Sequence, residues 1–339
     1  MAQEVRRFYQ GSRMMGMGGA GIAVVNDETA LLENPAGLGK LRDKYGTILD
    51  PELDMSDKYT SLNLAKPMSN PLSFDSVKPS LDTTPDVHFH ASGAVFPSFV
   101  VRNFGIGIFY RKVLDAYEDP TGATVKVNYF DDMALVLGYN FRLFDGRIKL
   151  GFNGKFISRI AMENLTLATT AATDLQTNAV EGGGVGTDVG LIMTAPWAWL
   201  PTISAVVRDV GGTNFNSGSG HRLTVANRPT KVTQDMDVAI AIFPINANRV
   251  RSTFTLEYQK MTAAALDTDK SRYYHGGMEI NFSDIFFLRA GMNQRYYTGG
   301  LELASEHTQI QLTTYGEDVG TTGSPVEDRR YMFKFAFRF

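Results

Sequence analysis

The chain has 339 residues, 43% of them hydrophobic and 20% charged, with a formal net charge of −3 and no cysteine. The missing cysteines exclude disulfide frameworks, thiolate metal sites and cysteine nucleophiles, and a near-neutral charge without a basic cluster excludes the electrostatic footprint of nucleic-acid binding. The bulk composition is that of an ordinary globular protein, so any membrane signal has to lie in the patterning.

The first residues, Met1-Ala2-Gln3-Glu4, show no basic run followed by an apolar stretch; the expectation is a mature exported chain whose signal is gone. Residues 1–43 do not read as wall strand. They contain MMGMGGAGIAVVNDETALLENPAGLGKL, in which glycines permit tight turns and Asn34-Pro35 ends a helix begun near Glu28 to Leu32. A compact, partly helical insert is predicted. The spacing GxGxxG occurs at Gly16, Gly18 and Gly21, but a dinucleotide site needs a strand before it and a helix after it. Here Ser12 to Met15 is too short for the strand, and Ile22 to Val25 reads as strand where the helix should be, so the nucleotide reading is set aside.

Beyond residue 87 no helical period is sustained, and period-2 alternation takes over. His88 and His90 are the one histidine pair able to share a strand face; without further ligands in reach, a solvent or rim position is expected and no metal site. Leu135, Leu137, Tyr139, Phe141 and Leu143 alternate with Ala134, Val136, Gly138, Asn140 and Arg142. After the tight turn Phe144-Asp145-Gly146-Arg147 the pattern resumes, with Ile148, Leu150, Phe152 and Phe156 against Lys149, Gly151, Asn153 and Lys155. Residues 191–207 are the best candidate for a membrane helix, but Pro196 and Pro201 make two strands and a turn the better reading. Further dyads set Phe254, Leu256 and Tyr258 against Thr255, Glu257 and Gln259, and Met278, Ile280 and Phe282 against Glu279 and Asn281. At the end, Tyr331, Phe333, Phe335, Phe337 and Phe339 share one face, opposite Arg330, Met332, Lys334, Ala336 and Arg338.

A soluble sheet would have to bury such an aromatic stripe and would seldom place Lys and Arg behind it, whereas a barrel wall with lipid outside and a polar lumen inside explains both faces. The fold class expected is therefore all-β, a transmembrane antiparallel barrel of about 14 strands over residues 44–339 with residues 1–43 as a plug in its lumen. Short turns are expected near 101–103, 145–146, 196–201, 244–248, 283–284 and 305–306. They alternate with longer polar loops near 57–86, 115–127, 163–185, 212–229, 261–271, 294–299 and 317–328. That alternation puts both termini on the periplasmic side. Inward charges are predicted at Arg142, Lys149, Lys155, Arg159, Asp237, Glu257, Glu279, Arg289, Glu302, Lys334 and Arg338. Unpaired charges in a narrow space are costly, so they are expected to pair with one another and with the plug and close the lumen.

The block Gly16-Met17-Gly18-Gly19-Ala20, the Asn26-Asp27 pair, Ala30-Leu31-Leu32 and Asn34-Pro35-Ala36-Gly37-Leu38, with terminal Phe339, resemble the FadL family of outer-membrane transporters. The resemblance implies a hatch to which Gly16, Gly18, Gly19, Asn34, Pro35 and Ala36 belong, inside a barrel of about 14 strands. It also implies passive uptake of a hydrophobic small molecule, such as a long-chain fatty acid, through a lumenal site and a lateral opening. The rival expectation is a closed scaffold barrel, compatible with a homo-oligomer, that organises lipid without transport. The partners expected are outer-membrane lipids, a hydrophobic molecule or detergent in the lumen and, through Phe339, the barrel-assembly machinery. No cofactor, nucleic acid or enzymatic chemistry is expected, since no local motif supplies a nucleophile with a partner His.

Overall fold

The computed structural model describes residues 7–58, 81, 86–168, 178–216, 222–223, 227–321 and 323–339. Most of the expected loop 57–86, and the interiors of the loops near 163–185 and 212–229, lie outside the described residues.

The strand segments are β1 Tyr45–Leu49, β2 Glu52–Ser56, β3 His88–Val95, β4 Ser98–Val101, β5 Phe104–Glu118, β6 Thr124–Leu143, β7 Ile148–Ala168, β8 Val180–Thr194 and β9 Thr202–Arg208. They continue as β10 Asp235–Ile242, β11 Ile245–Ala247, β12 Val250–Tyr258, β13 Tyr274–Phe282, β14 Phe286–Asn293, β15 Tyr296–Ala304, β16 Thr308–Asp318 and β17 Glu327–Arg338. All lie in one sheet of 17 segments. The last segment, β17, pairs antiparallel with β1 and β2, so the sheet closes and leaves no edge.

Three pairs of segments are single wall strands interrupted at a proline, which makes a closed antiparallel barrel of 14 strands. The interruptions are Asp50-Pro51 between β1 and β2, Phe96-Pro97 between β3 and β4, and Phe243-Pro244 between β10 and β11. Proline has no N–H to give the ladder, so each break follows from the residue itself. The proline carbonyls still accept from neighbouring strands: Phe335 N donates to Pro51 O at 3.1 Å, Ile108 N to Pro97 O at 2.9 Å and Ser252 N to Pro244 O at 2.9 Å. The first two breaks face each other, tied by Phe96 N donating to the Asp50 carboxylate.

The alternation read from the sequence is the alternation of the wall. Leu135, Tyr139 and Phe141 are exposed while Ala134, Val136 and Asn140 are buried; Tyr331, Phe333 and Phe337 are exposed while Met332, Lys334 and Ala336 are buried. Continuous exposed apolar surface with buried charge behind it is stable against hydrocarbon and not against water. The 191–207 stretch is indeed β8, a turn and β9. The loop near 261–271 carries a short helix, Met261–Leu266, that the sequence pattern did not indicate.

The outward face is not exposed throughout. At the long-loop end of β3, β5, β6 and β7, the outward positions Phe89, Leu114, Val125, Val127, Ile160 and Met162, on the same face as Ile108 and Leu135, are buried in one apolar cluster with Leu81 and Ala179 of the long loops. At 20 and 21 residues, β6 and β7 are about twice the length needed to cross a bilayer, so this cluster belongs to the part of the wall that overhangs.

Candidate functional site

The N-terminal segment forms helix α1 Ser12–Gly16, helix α2 Ala30–Glu33 and a 3-10 turn Pro35–Lys40. Ile22 to Val25, expected as strand, is a turn. Its β-branched residues suggested extended backbone, but the N–H groups of Val24 and Val25 both fold back to Gly21 O at 3.0 Å. The segment is bonded to inward-facing wall residues on all sides.

Gly16, Gly18 and Gly19 lie against β12 to β15. Gly18 and Gly19 take φ of +71° and +82°, a region that favours glycine. Gly18 N donates to Thr298 Oγ1 at 3.0 Å, Thr298 Oγ1 donates to Gly16 O at 3.1 Å, and Gln259 Nε2 donates to Gly19 O at 2.7 Å. A Cβ on Gly18 would stand 2.6 Å from Met292 N, and one on the facing Gly291 would stand 2.6 Å from Gly18 N. Backbone meets backbone here, with glycine on both sides.

Asn34 organises the second contact. Its Oδ1 accepts from Ala36 N at 3.0 Å and so caps the 3-10 turn, in which Pro35 takes the first position, where no N–H is needed. Its Nδ2 donates to Ile22 O at 2.8 Å and to Ser204 Oγ on β9 at 2.9 Å. Pro35 and Ala36 fit over Gly151 of β7 and Gly190 of β8; a Cβ on Gly190 would lie 3.2 Å from Ala36 N.

Charges fill the space between. Arg7 donates to Asp237 at 2.9 Å and Glu257 at 2.6 Å, and the other Glu257 oxygen accepts from Gly21 N and Ile22 N at 2.8 and 3.1 Å. Arg13 pairs with Glu279 at 2.9 Å and Asp27 at 3.2 Å; Arg338 pairs with Glu28 at 2.6 Å. Of the predicted inward charges, Asp237, Glu257, Glu279 and Arg338 thus touch the segment through ion pairs, and Lys155 through the Phe8 ring at 5.3 Å. Lys155 also pairs with Asp188 at 2.8 Å, Arg159 with Asp132 at 2.6 Å, and Arg289 with Glu279 at 2.7 Å and with Glu302. Lys334 reaches Asp50 and Glu52 at 3.7 and 3.8 Å. Lys149 donates to Gly146 O, and Arg142 is exposed at the rim of the Phe144–Gly146 turn.

Several partners were not singled out in the sequence. Arg208 donates to Asp237 at 2.6 Å and to the carbonyls of Leu32 and Glu33 at 3.2 and 2.9 Å. His90, expected at a solvent or rim position, is buried, with Nδ1 2.6 Å from Asp115 and Nε2 3.3 Å from Asp54, which also accepts from the Tyr315 hydroxyl. Neighbouring carboxylates on β2 and β5 draw it inward. His88 instead stacks on Tyr117 with centroids 4.4 Å apart. A polar residue alternating with apolar ones was the signal available for both Arg208 and His90. Among the described residues, no group of three or more His, Asp or Glu is arranged to hold a metal ion.

One lumenal pocket of about 60 Å³ lies between Arg7–Gln10 and the wall, beside the two facing proline breaks. Phe8, Tyr9, Phe109, Phe130 and Met332 give it an apolar lining, and Glu52 and His90 a polar one. Phe8 and Tyr9 stand 5.2 and 5.6 Å from Phe109, centroid to centroid.

No family model and no curated sequence matches the chain. Among solved structures it is similar to the CymD monoaromatic hydrocarbon channel, with 11% identity, 97% of each chain covered and a TM-score of 0.57. It is also similar to the toluene transporter TodX of Pseudomonas putida, with 10% identity, 99% of each chain covered and a TM-score of 0.56. A FadL homologue of Pseudomonas aeruginosa matches with 9% identity, 99% of each chain covered and a TM-score of 0.52. At these identities the likeness is one of fold, and it is the fold that the glycine block and Asn34-Pro35-Ala36 suggested.

Proposed function

We propose that this chain is a bacterial outer-membrane barrel for passive uptake of hydrophobic small molecules, with residues 1–43 as the hatch and both termini on the periplasmic side. The observation that carries this reading is the lumenal pocket between the segment and the wall, lined by the aromatic rings of Phe8, Tyr9, Phe109 and Phe130 and by Met332. A lumen serving only to be filled by paired charges would not need an aromatic-lined cavity between the segment and the wall. The two proline breaks flank the same pocket, and a lateral way out needs a broken wall strand. A guest would be held by burial of its carbon skeleton, about 0.8 kcal/mol per methylene, without chemistry on it.

The pocket's size favours a compact aromatic guest over a long-chain fatty acid. A cavity of about 150 Å³ holds benzene in an engineered protein. The pocket of about 60 Å³ found here must therefore enlarge, and the residues in its way are Phe8 and Tyr9. One observation favours the rival reading of a closed scaffold: the interlocked pairs of Arg7, Arg13 and Arg338 with wall carboxylates fasten the segment on several sides.

The test is uptake of radiolabelled toluene and oleate by intact cells making the parent or a variant lacking residues 2–38. Faster toluene entry with the parent, and a large non-selective conductance in planar bilayers for the deletion, are expected. Parent cells that take up both compounds no faster than controls, with the barrel folded in their membranes, would leave the scaffold reading standing.

A further inference from the structure

A second concavity lies outside the lumen. It is a groove of about 1100 Å³ on the outer face, running from the short-turn end of β7 to β9 across β10 and β12 to β13 to β15. Its walls are Ile203, Ile240, Leu256, Met278 and Met292, all exposed on the outward face of their strands. The floor is low because small residues stand where the rest of the wall carries Leu or Phe: Gly276 and Ala290 face outward, and behind them Gly277 and Gly291 have no side chain at all. The ladder from β12 through β13 to β14 is unbroken, so the groove is a dent and not an opening.

One end of the groove differs from the rest. Arg147 lines it, exposed, in the Phe144–Arg147 turn, with Trp197 beside it, 72% exposed. Among the described residues, neither Arg147 nor Arg142 at the end of β6 has a carboxylate within ion-pair distance. Exposed Trp and Arg at the end of an apolar wall mark the headgroup level of a bilayer.

We infer that this groove is a specific site for an anionic glycerophospholipid of the inner leaflet, its phosphate on Arg147 and its acyl chains along Ile203, Ile240, Leu256 and Met278. A groove open to hydrocarbon is always filled by some acyl chain; the cationic end is what selects among headgroups. A second copy of the chain is the less suitable occupant, since among the described residues the outward positions of β9 to β15 carry no carboxylate to meet Arg147. The inference rests on the wall lying in a bilayer and not on transport.

Trp197 and Trp199 are the only tryptophans in the chain, and both lie in the turn at the cationic end, so fluorescence reads this site directly. The full chain carrying Trp199→Phe is reconstituted in phosphatidylcholine vesicles containing increasing fractions of phosphatidylglycerol or of phosphatidylcholine brominated near the glycerol end of the acyl chains. Half-maximal quenching of Trp197 is expected at a several-fold lower mole fraction of the brominated phosphatidylglycerol. The difference should vanish in Arg147→Gln and shrink in Ala290→Phe, which fills the groove floor while leaving Arg147 in place. Superimposed curves for the two lipids, or an advantage that survives Arg147→Gln, overturns the site. Trp197 emission that depends on protein-to-lipid ratio and not on bromination shows that a second copy covers the groove, and overturns it too. If neither brominated lipid quenches at any ratio, the membrane reading itself fails.

Discussion

The two ends of the N-terminal segment are held in different ways. From Gly16 to Ala36 it meets the wall backbone to backbone, with Gly277, Gly291, Gly151 and Gly190 cleared of side chains to admit it. From Arg7 to Gln10 every tie to the wall runs through a side chain: one arginine between two carboxylates, Arg111 donating to Arg7 O at 3.0 Å, two aromatic rings on Phe109 and a 3.4 Å contact from the Tyr9 hydroxyl to Glu52. Glycine contacts leave no room to slide, whereas side-chain contacts can be exchanged for a guest. The segment therefore reads as an anchor at Gly16 to Ala36 and a movable flap at Arg7 to Gln10, with the pocket under the flap.

The comparison breaks most directly at Gly277. A Cβ there would run into the backbone of Met17, and neither the sheet nor the segment can yield alone. Gly277→Val should lower stability by roughly 3 kcal/mol or more, read as a lower urea midpoint and loss of the heat-modifiable band. Gly276→Val, one residue away and outward, meets only the flexible end of Leu256 at 2.7 Å and should fold nearly as the parent does. If the two variants behave alike, the glycine contact is not the anchor.

Asn34→Ala should come next, at about 2 kcal/mol. It removes the cap on Ala36 N and the bond to Ile22 O, although Ser204 Oγ still reaches Ile22 O at 3.0 Å and limits the loss. Urea titration of the reconstituted barrel measures it, and an unchanged midpoint would mean that the 3-10 turn is held by Pro35 and the wall glycines alone.

On the flap, Arg7→Met should cost less than its buried position suggests. Removing one partner of a buried pair can cost about 3 to 5 kcal/mol when the other is stranded. Here Asp237 keeps Arg208 at 2.6 Å and Lys260 N at 2.8 Å, and Glu257 keeps Gly21 N and Ile22 N. A loss of about 1 to 2 kcal/mol, with faster toluene uptake, is the expected outcome. A loss as large as that of Gly277→Val would make Arg7 part of the anchor.

How much of this was legible in the sequence follows from the number of solvents each residue meets. Leu135 to Leu143 and Tyr331 to Phe339 stand between hydrocarbon and a polar interior, so their period-2 alternation is strict and readable without partners. The inward charges were legible as a set for the same reason, but their pairing was not, because Arg208 with Asp237 or Arg338 with Glu28 depends on how the segment lies in the ring. Where β6 and β7 overhang, the alternation continues but the outward face meets Leu81, Ala179 and Leu223 of the long loops in place of hydrocarbon. Leu114, Val127 and Ile160 therefore looked like ordinary apolar positions, and the cluster that buries them on the outward face went unread. The strand breaks were written in Pro51, Pro97 and Pro244, but a proline announces an interruption and not whether a turn or the same wall strand follows it.

The smallest expected effect on stability is the sharpest test of the flap. Tyr9→Phe removes one hydroxyl whose only described partner is the Glu52 carboxylate at 3.4 Å, a long contact. Neutral donors to a carboxylate at good geometry contribute about 1.5 to 3 kcal/mol, so one this long should give under about 1 kcal/mol. The ring stays, and with it the edge-on packing against Phe109 at 5.6 Å, so the pocket keeps its shape. What changes is the tie between the flap and β2 next to the Asp50-Pro51 break. If that tie holds the flap over the pocket, toluene uptake should rise by a few-fold in intact cells while the urea midpoint stays within error of the parent. Phe8→Ala serves as the companion, since it empties the space beside Phe109 without touching the tie, and should raise toluene uptake while lowering the midpoint. Unchanged uptake in both variants, with folded protein in the membrane, would mean that guests do not pass under Arg7 to Gln10, and the anchor and flap would then be two parts of one fixed closure.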